Sequence, residues 1–230
     1  MSLKIGLVAT RTLQMLLLGS LLLGGAPTWA STFSINRLQA RLNDDHTYSL
    51  TQSSFLRWSN KTFLLQTLNS DRDPREDSHA TRFELFVGRP VGNGELGWVT
   101  RAQKWNGEQG VYSAGLQLNF NEIEGLDDGM GSLGLRSFVQ FFIRSDVQHL
   151  GRYDLLHYYD LNIPPWNINL RGNNIFYFGE HHLIAQLWFD AIYPLADEVD
   201  IYYRWNHLNR TNRLLGIRGS TSSIGIRFNF

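Results

Sequence analysis

The sequence predicts an all-β fold, a transmembrane antiparallel up-and-down β-barrel of about 12 strands, and three observations lead there. Apolar and polar residues alternate in stretches of about ten from Ser31 onward. No apolar run after that point approaches the roughly twenty residues of a spanning helix, so a membrane crossing falls to strands. The longest alternating segments exceed the five or six residues usual in globular strands, which argues against a soluble β-sandwich, the other fold with this period.

Composition narrows the chemistry. The 230 residues are 43% hydrophobic and 18% charged, with 21 basic and 21 acidic side chains and no cysteine. A balanced charge gives no basic surface for phosphate backbones, so no nucleic-acid partner is expected. The absence of cysteine excludes thiolate metal sites, cysteine nucleophiles and disulfides. No cofactor or metal is expected.

Residues 1–30 read as a signal peptide and residues 31–230 as the barrel. Lys4 and Arg11 give a positive start, an apolar run follows over residues 13–25, and Thr28, Trp29 and Ala30 precede the cleavage point. That run is too short to span a membrane.

Strands are expected at 34–43, 47–58, 61–69, 81–89, 95–104, 111–120, 132–144, 150–163, 166–178, 181–193, 199–207 and 220–230. The clearest has Tyr112, Ala114, Leu116, Leu118 and Phe120 on one face against Val111, Ser113, Gly115, Gln117 and Asn119 on the other. Leu183, Ala185, Leu187, Phe189, Ala191 and Tyr193 repeat it, as do Val199, Ile201, Tyr203 and Trp205. Short turns at 59–60, 90–94, 164–165 and 194–198 alternate with longer, more charged connections at 70–80, 144–149 and 208–219. Such asymmetry is expected of a barrel with short periplasmic turns and longer outer loops. Two joints fit less well, the long inner one at 121–131 and the short outer one at 179–180.

The last strand alternates Ile224, Ile226, Phe228 and Phe230 with Ser223, Gly225, Arg227 and Asn229. It resembles the C-terminal assembly signal of Gram-negative outer-membrane barrels. That resemblance implies an outer-membrane location, contact with lipids and lipopolysaccharide, and recognition by the barrel assembly machinery through Phe230.

If the apolar parity meets lipid, the other parity lines a lumen carrying Arg82, Glu84, Arg101, Gln103, Arg136, Gln140, Arg152, Asp154, Asn167, Asn169, Arg171, Asn173, Gln186, Asp190, Asp200, Arg204, Asn206, Arg227 and Asn229. Phe86, Phe138, Phe142, Tyr158, Trp188 and Tyr202 share it. Twelve strands about 4.8 Å apart and tilted about 45° leave a bore of order 10 Å or less once side chains point inward. Two readings stay open: a salt-bridge lattice that plugs the barrel, or a channel whose guanidinium groups and aromatic faces handle a small solute. The candidate solute-binding residues are Arg101, Arg136, Phe138, Tyr158, Asn169, Arg171, Tyr202, Arg204 and Arg227.

Residues 112–134 (YSAGLQLNFNEIEGLDDGMGSLG), 151–178 (GRYDLLHYYDLNIPPWNINLRGNNIFYF), 201–206 and 220–230 resemble the nucleoside-specific (Tsx-like) outer-membrane channel family. The resemblance implies diffusion of a small hydrophilic solute, nucleosides among the candidates. The chain is also similar to the acidic-oligosaccharide porins of uronate and sialate type, in which Arg101, Arg136, Arg171, Arg204 and Arg227 would form arginine tracks.

Catalysis is not expected, and no catalytic residue is assigned. His157 falls on the lipid-facing parity, where an imidazole is unusual, but no serine motif stands beside it in the sequence. His181 and His182 point to opposite faces of a strand, which disfavours a shared metal. Asp71, Asp73, Glu76 and Asp77 read as a solvated outer loop.

Overall fold

A computed structural model describes residues 31–75, 77–106, 108–145, 150–212, 214–216 and 218–230, so the expected signal peptide lies outside the described residues. Twelve strands follow in chain order: β1 (Ser31–Asn43), β2 (Tyr48–Trp58), β3 (Phe63–Asp73), β4 (Ser78–Val91), β5 (Leu96–Trp105), β6 (Val111–Asn119), β7 (Leu135–Arg144), β8 (Tyr153–Ile163), β9 (Ile168–Phe178), β10 (Leu183–Ala196), β11 (Val199–Leu208) and β12 (Gly219–Asn229). Each pairs antiparallel with its sequence neighbours, and β1 pairs with β12 to close the barrel. Closure removes every free edge, which hydrocarbon demands because it offers backbone groups no partner. The seam is bonded down to the last residue: Phe230 N donates to Asn36 O and Asn36 N donates to Phe230 O, both at 2.9 Å.

β1 starts and β12 ends at one rim, here the terminal end, and the opposite rim is the loop end. The poorly fitting inner joint is structured. A 3-10 turn at Phe120–Glu122 leads to a six-residue helix, α1 (Asp127–Ser132), before the chain re-enters the sheet. The outer joint between β9 and β10 is a tight turn in which Gly179 N donates to His182 O at 2.9 Å.

Strand ends correct several details. β3 and β4 extend well past their expected limits, so Asp71 and Asp73 are strand residues and Asp77 stands in the turn before β4, while Glu76 lies outside the described residues. Asp71 is bonded within the barrel instead: Ser49 Oγ donates to its carboxylate, and Asn69 Nδ2 donates to Asp71 Oδ2 at 2.6 Å. Arg152 precedes β8, and Asn167 caps the turn between β8 and β9 in a left-handed conformation with φ 51°. Neither is a lumen residue carried on a strand.

The outer face carries the apolar parity, with Tyr112, Leu116, Ile143, Tyr193, Ile201, Ile224 and Phe228 exposed in the isolated chain, where lipid would cover them. Packing between strands uses glycine where a ring must cross a neighbour: Tyr159 on β8 lies over Gly172 on β9, where a Cβ would occupy the space of the ring.

The lumen is not uniformly wet. Phe86, Val99, Trp105, Val111, Phe142, Leu156, Ile175, Tyr177 and Ile184 form a buried apolar cluster on the inner side of β4 to β10, joined by Leu150 and by Leu214 and Leu215 of the last loop. The barrel therefore has a thick, packed wall on that side and a cavity beside it.

Candidate functional site

The cavity of about 1320 Å³ runs from Lys61 and Glu122 near the terminal end to Asp45 and Glu108 near the loop end. Spread over a membrane band about 25 Å tall, that volume corresponds to a bore about 8 Å wide. Two unlike walls enclose it. β1 to β3 contribute Arg37, Gln39, Arg41, Thr51, Ser53, Thr67 and Asn69, because odd positions in all three strands point inward. β7 to β11 contribute Arg136, Phe138, Tyr158, Asp160, Arg171, Trp188, Asp190 and Arg204.

The second wall is built of ion pairs held in fixed geometry. Arg204 forks onto Asp190, with Nε to Oδ1 at 2.6 Å and Nη2 to Oδ2 at 2.7 Å. Its guanidinium also lies 4.5 Å from the centre of the Trp188 ring, so charge and orientation are both fixed. Arg171 donates from Nη2 to Asp160 Oδ2 at 3.0 Å, and the Tyr158 hydroxyl donates to the same oxygen at 3.2 Å. Asn169 Nδ2 completes the set on Asp160 Oδ1. Phe138 stacks on Tyr158 at 4.9 Å and 19°, and both rings line the cavity.

Five of the nine residues expected from sequence therefore converge on one wall: Arg136, Phe138, Tyr158, Arg171 and Arg204. Asn169 stands beside them as the partner of Asp160. Arg227 and Tyr202 point inward but are 6% and 2% exposed and do not line the cavity. Arg227 Nε donates to Asp200 Oδ2 at 2.7 Å, a carboxylate it shares with Asn229 Nδ2 at 2.8 Å. Arg101 is placed differently from a solute-binding side chain. It is sealed in the packed wall at 0% side-chain exposure, paired with Asp154 and lying 4.4 Å from the centre of the Phe142 ring. Arg144, equally buried, donates to the same carboxylate at 3.2 Å. Inward parity brought Arg101 into the barrel, and the rings of Phe86 and Phe142 then covered it.

Arg37 and Arg41 were not among the expected site residues, although Arg37, Gln39 and Arg41 alternate with Leu38, Ala40 and Leu42 in the same period. Arg41 pairs with Asp71 at 3.7 Å. Arg37 Nε donates to the neutral Asn229 Oδ1 at 3.1 Å and has no carboxylate partner among the described residues. Arg136 likewise has no ion pair among the described residues. The cavity is lined by eight cationic side chains (Arg37, Arg41, Arg57, Lys61, Arg82, Arg136, Arg171 and Arg204) and seven carboxylates (Asp45, Asp71, Glu84, Glu108, Glu122, Asp160 and Asp190). Its lining is thus net positive by one charge.

No family model and no curated protein matches the sequence. Solved structures do match, and they are barrels. A KdgM porin in complex with disordered oligogalacturonate superposes with a TM-score of 0.56 at 12% identity, over 85% of this chain and 99% of that one. The NanC porin superposes with a TM-score of 0.61 at 12% identity, over 84% and 98%. Outer membrane phospholipase A from Escherichia coli gives 0.50 at 12% identity, over 89% and 93%. At such identities the likeness is one of fold, a closed barrel shared by porins and a lipid enzyme.

Proposed function

We propose that the chain is an outer-membrane channel through which small hydrophilic solutes diffuse, and that it favours anions of the acidic-oligosaccharide type. One observation carries the preference: Arg37 and Arg136 line the cavity with no ion pair among the described residues, while Asp71, Glu84, Asp160 and Asp190 are each paired with another arginine, so the interior keeps a positive excess. Planar guanidinium groups suit carboxylates by forked hydrogen bonding, and a narrow lumen strengthens their field on a passing anion. The fold likeness to the KdgM and NanC porins agrees with this reading. Export by the N-terminal signal and insertion through the C-terminal strand belong to the same proposal.

A nucleoside is the second reading, favoured by the stacked Phe138 and Tyr158 rings on the cavity wall, which offer a flat surface to a base. Current block in planar bilayers separates the two. Oligogalacturonate or sialic acid should block at concentrations where uridine and adenosine do not. Block by nucleosides alone would overturn the anion preference.

A further inference from the structure

The lipid-facing histidine has a serine after all. Ser137 on β7 and His157 on β8 both occupy the outward parity, and Ser137 Oγ lies 3.0 Å from His157 Nε2. The register of β8 with β9 sets Asn174 directly opposite His157 on the same outward face. The Asn174 carboxamide makes no hydrogen bond within the described residues, a costly state for an amide turned toward hydrocarbon. Serine, imidazole and amide thus follow one another across three adjacent strands. The lumen plays no part in this arrangement.

From this juxtaposition we propose that the outer wall carries a lipid acyl-ester hydrolase site, with Ser137 as nucleophile, His157 as general base and Asn174 as the group that orients the imidazole. The contact uses the imidazole nitrogen that leaves Nδ1 free to donate toward Asn174, the order of roles that activates a serine. The serine is held from behind: its backbone N–H donates to Asn121 Oδ1 at 2.7 Å, and Asn121 Nδ2 donates to Leu135 O at 2.7 Å. Ser137 Oγ has a second acceptor in Tyr158 O at 3.2 Å, a longer contact than that to Nε2. The ring of Tyr159, directly across the ladder from Ser137, leans over Gly172 on its far side.

Depth selects the substrate. Ser137 is the third residue of β7, which places it about 5 Å inside the terminal rim for a tilted strand. Ester carbonyls of glycerophospholipids lie at that boundary between head groups and chains. The leaflet at the terminal rim is the periplasmic one under the proposed function, and it holds glycerophospholipid rather than lipid A.

The step balances without a cofactor. Ser137 Oγ attacks the ester carbonyl while its proton passes to His157 Nε2. The bond from the carbonyl carbon to the glycerol oxygen then breaks, and that oxygen leaves with the proton as the alcohol of a lysophospholipid. Water adds to the acyl-serine, its proton returns through His157 to Ser137 Oγ, and the fatty acid departs.

The test uses the full mature barrel refolded into phosphatidylethanolamine vesicles. A fluorophosphonate probe should label Ser137, found by peptide mass analysis, and fatty acid should be released. Ser137→Ala and His157→Ala should each lower release about 1000-fold or more, while Asn174→Ala lowers kcat with KM unchanged. Folded, heat-modifiable wild-type barrel that is neither labelled nor releases fatty acid overturns the site, whatever the variants do. Release from lipid A and not from phosphatidylethanolamine overturns the substrate assignment. Either failure leaves the channel reading untouched, because these side chains lie outside the lumen.

Discussion

Replacing Arg136 by Gln removes a cavity arginine that has no ion pair among the described residues, while keeping a polar side chain. A unit charge about 5 Å from the path of an ion contributes about 0.8 kcal/mol in a water-like dielectric. Screening over a Debye length of about 10 Å at 0.1 M salt trims this to about 0.5 kcal/mol. The substitution withdraws that attraction from anions and the same repulsion from cations, so the permeability ratio moves by about 1 kcal/mol, or about fivefold toward cations. Reversal potentials across a bilayer with a salt gradient read the ratio directly. The shift should shrink at 1 M salt, where the Debye length is about 3 Å. An unchanged reversal potential at 0.1 M would mean that Arg136 does not face the ion path, and the argument for an anion preference would fail with it.

Arg101→Met should behave in the opposite way. It leaves selectivity unchanged and destabilises the barrel by about 3 kcal/mol, the low end for a broken buried pair because Arg144 still holds Asp154; the loss is read as a lower urea midpoint by tryptophan fluorescence. Gly172→Val places a branched side chain where the Tyr159 ring lies, and should cost about 1–3 kcal/mol in the same assay. Deleting Phe230 removes the paired hydrogen bonds with Asn36 at the barrel seam and should slow folding into vesicles, followed by the heat-dependent gel shift.

Period and parity were enough to locate the strands. Segments expected at 199–207 and 47–58 emerge as Val199–Leu208 and Tyr48–Trp58, because each turn residue breaks an alternation that lipid on one side and side-chain packing on the other enforce. The helix Asp127–Ser132 left no such signal: six residues with two glycines are too few to show a helical period. Parity also says which way a side chain points but not how far it gets. Arg101 and Arg204 share the inward face, yet one is roofed by Phe86 and Phe142 and the other reaches the cavity beside Trp188. Register is the third quantity, and it is not written along a single strand. His157 was legible as a lipid-facing imidazole, whereas its partner Ser137 stands 20 residues away and comes within 3.0 Å only through the pairing of β7 with β8.

A channel requires a water-filled path between the wall of β1 to β3 and the wall of β7 to β11. Because the chain has no cysteine of its own, single cysteines report on that path without background. Cysteine placed at Gln39 or Thr67 should react with a membrane-impermeant thiol reagent in sealed vesicles, while cysteine at Leu116 or Ile226 should stay unlabelled. Labelling at the second pair and none at the first would contradict the account.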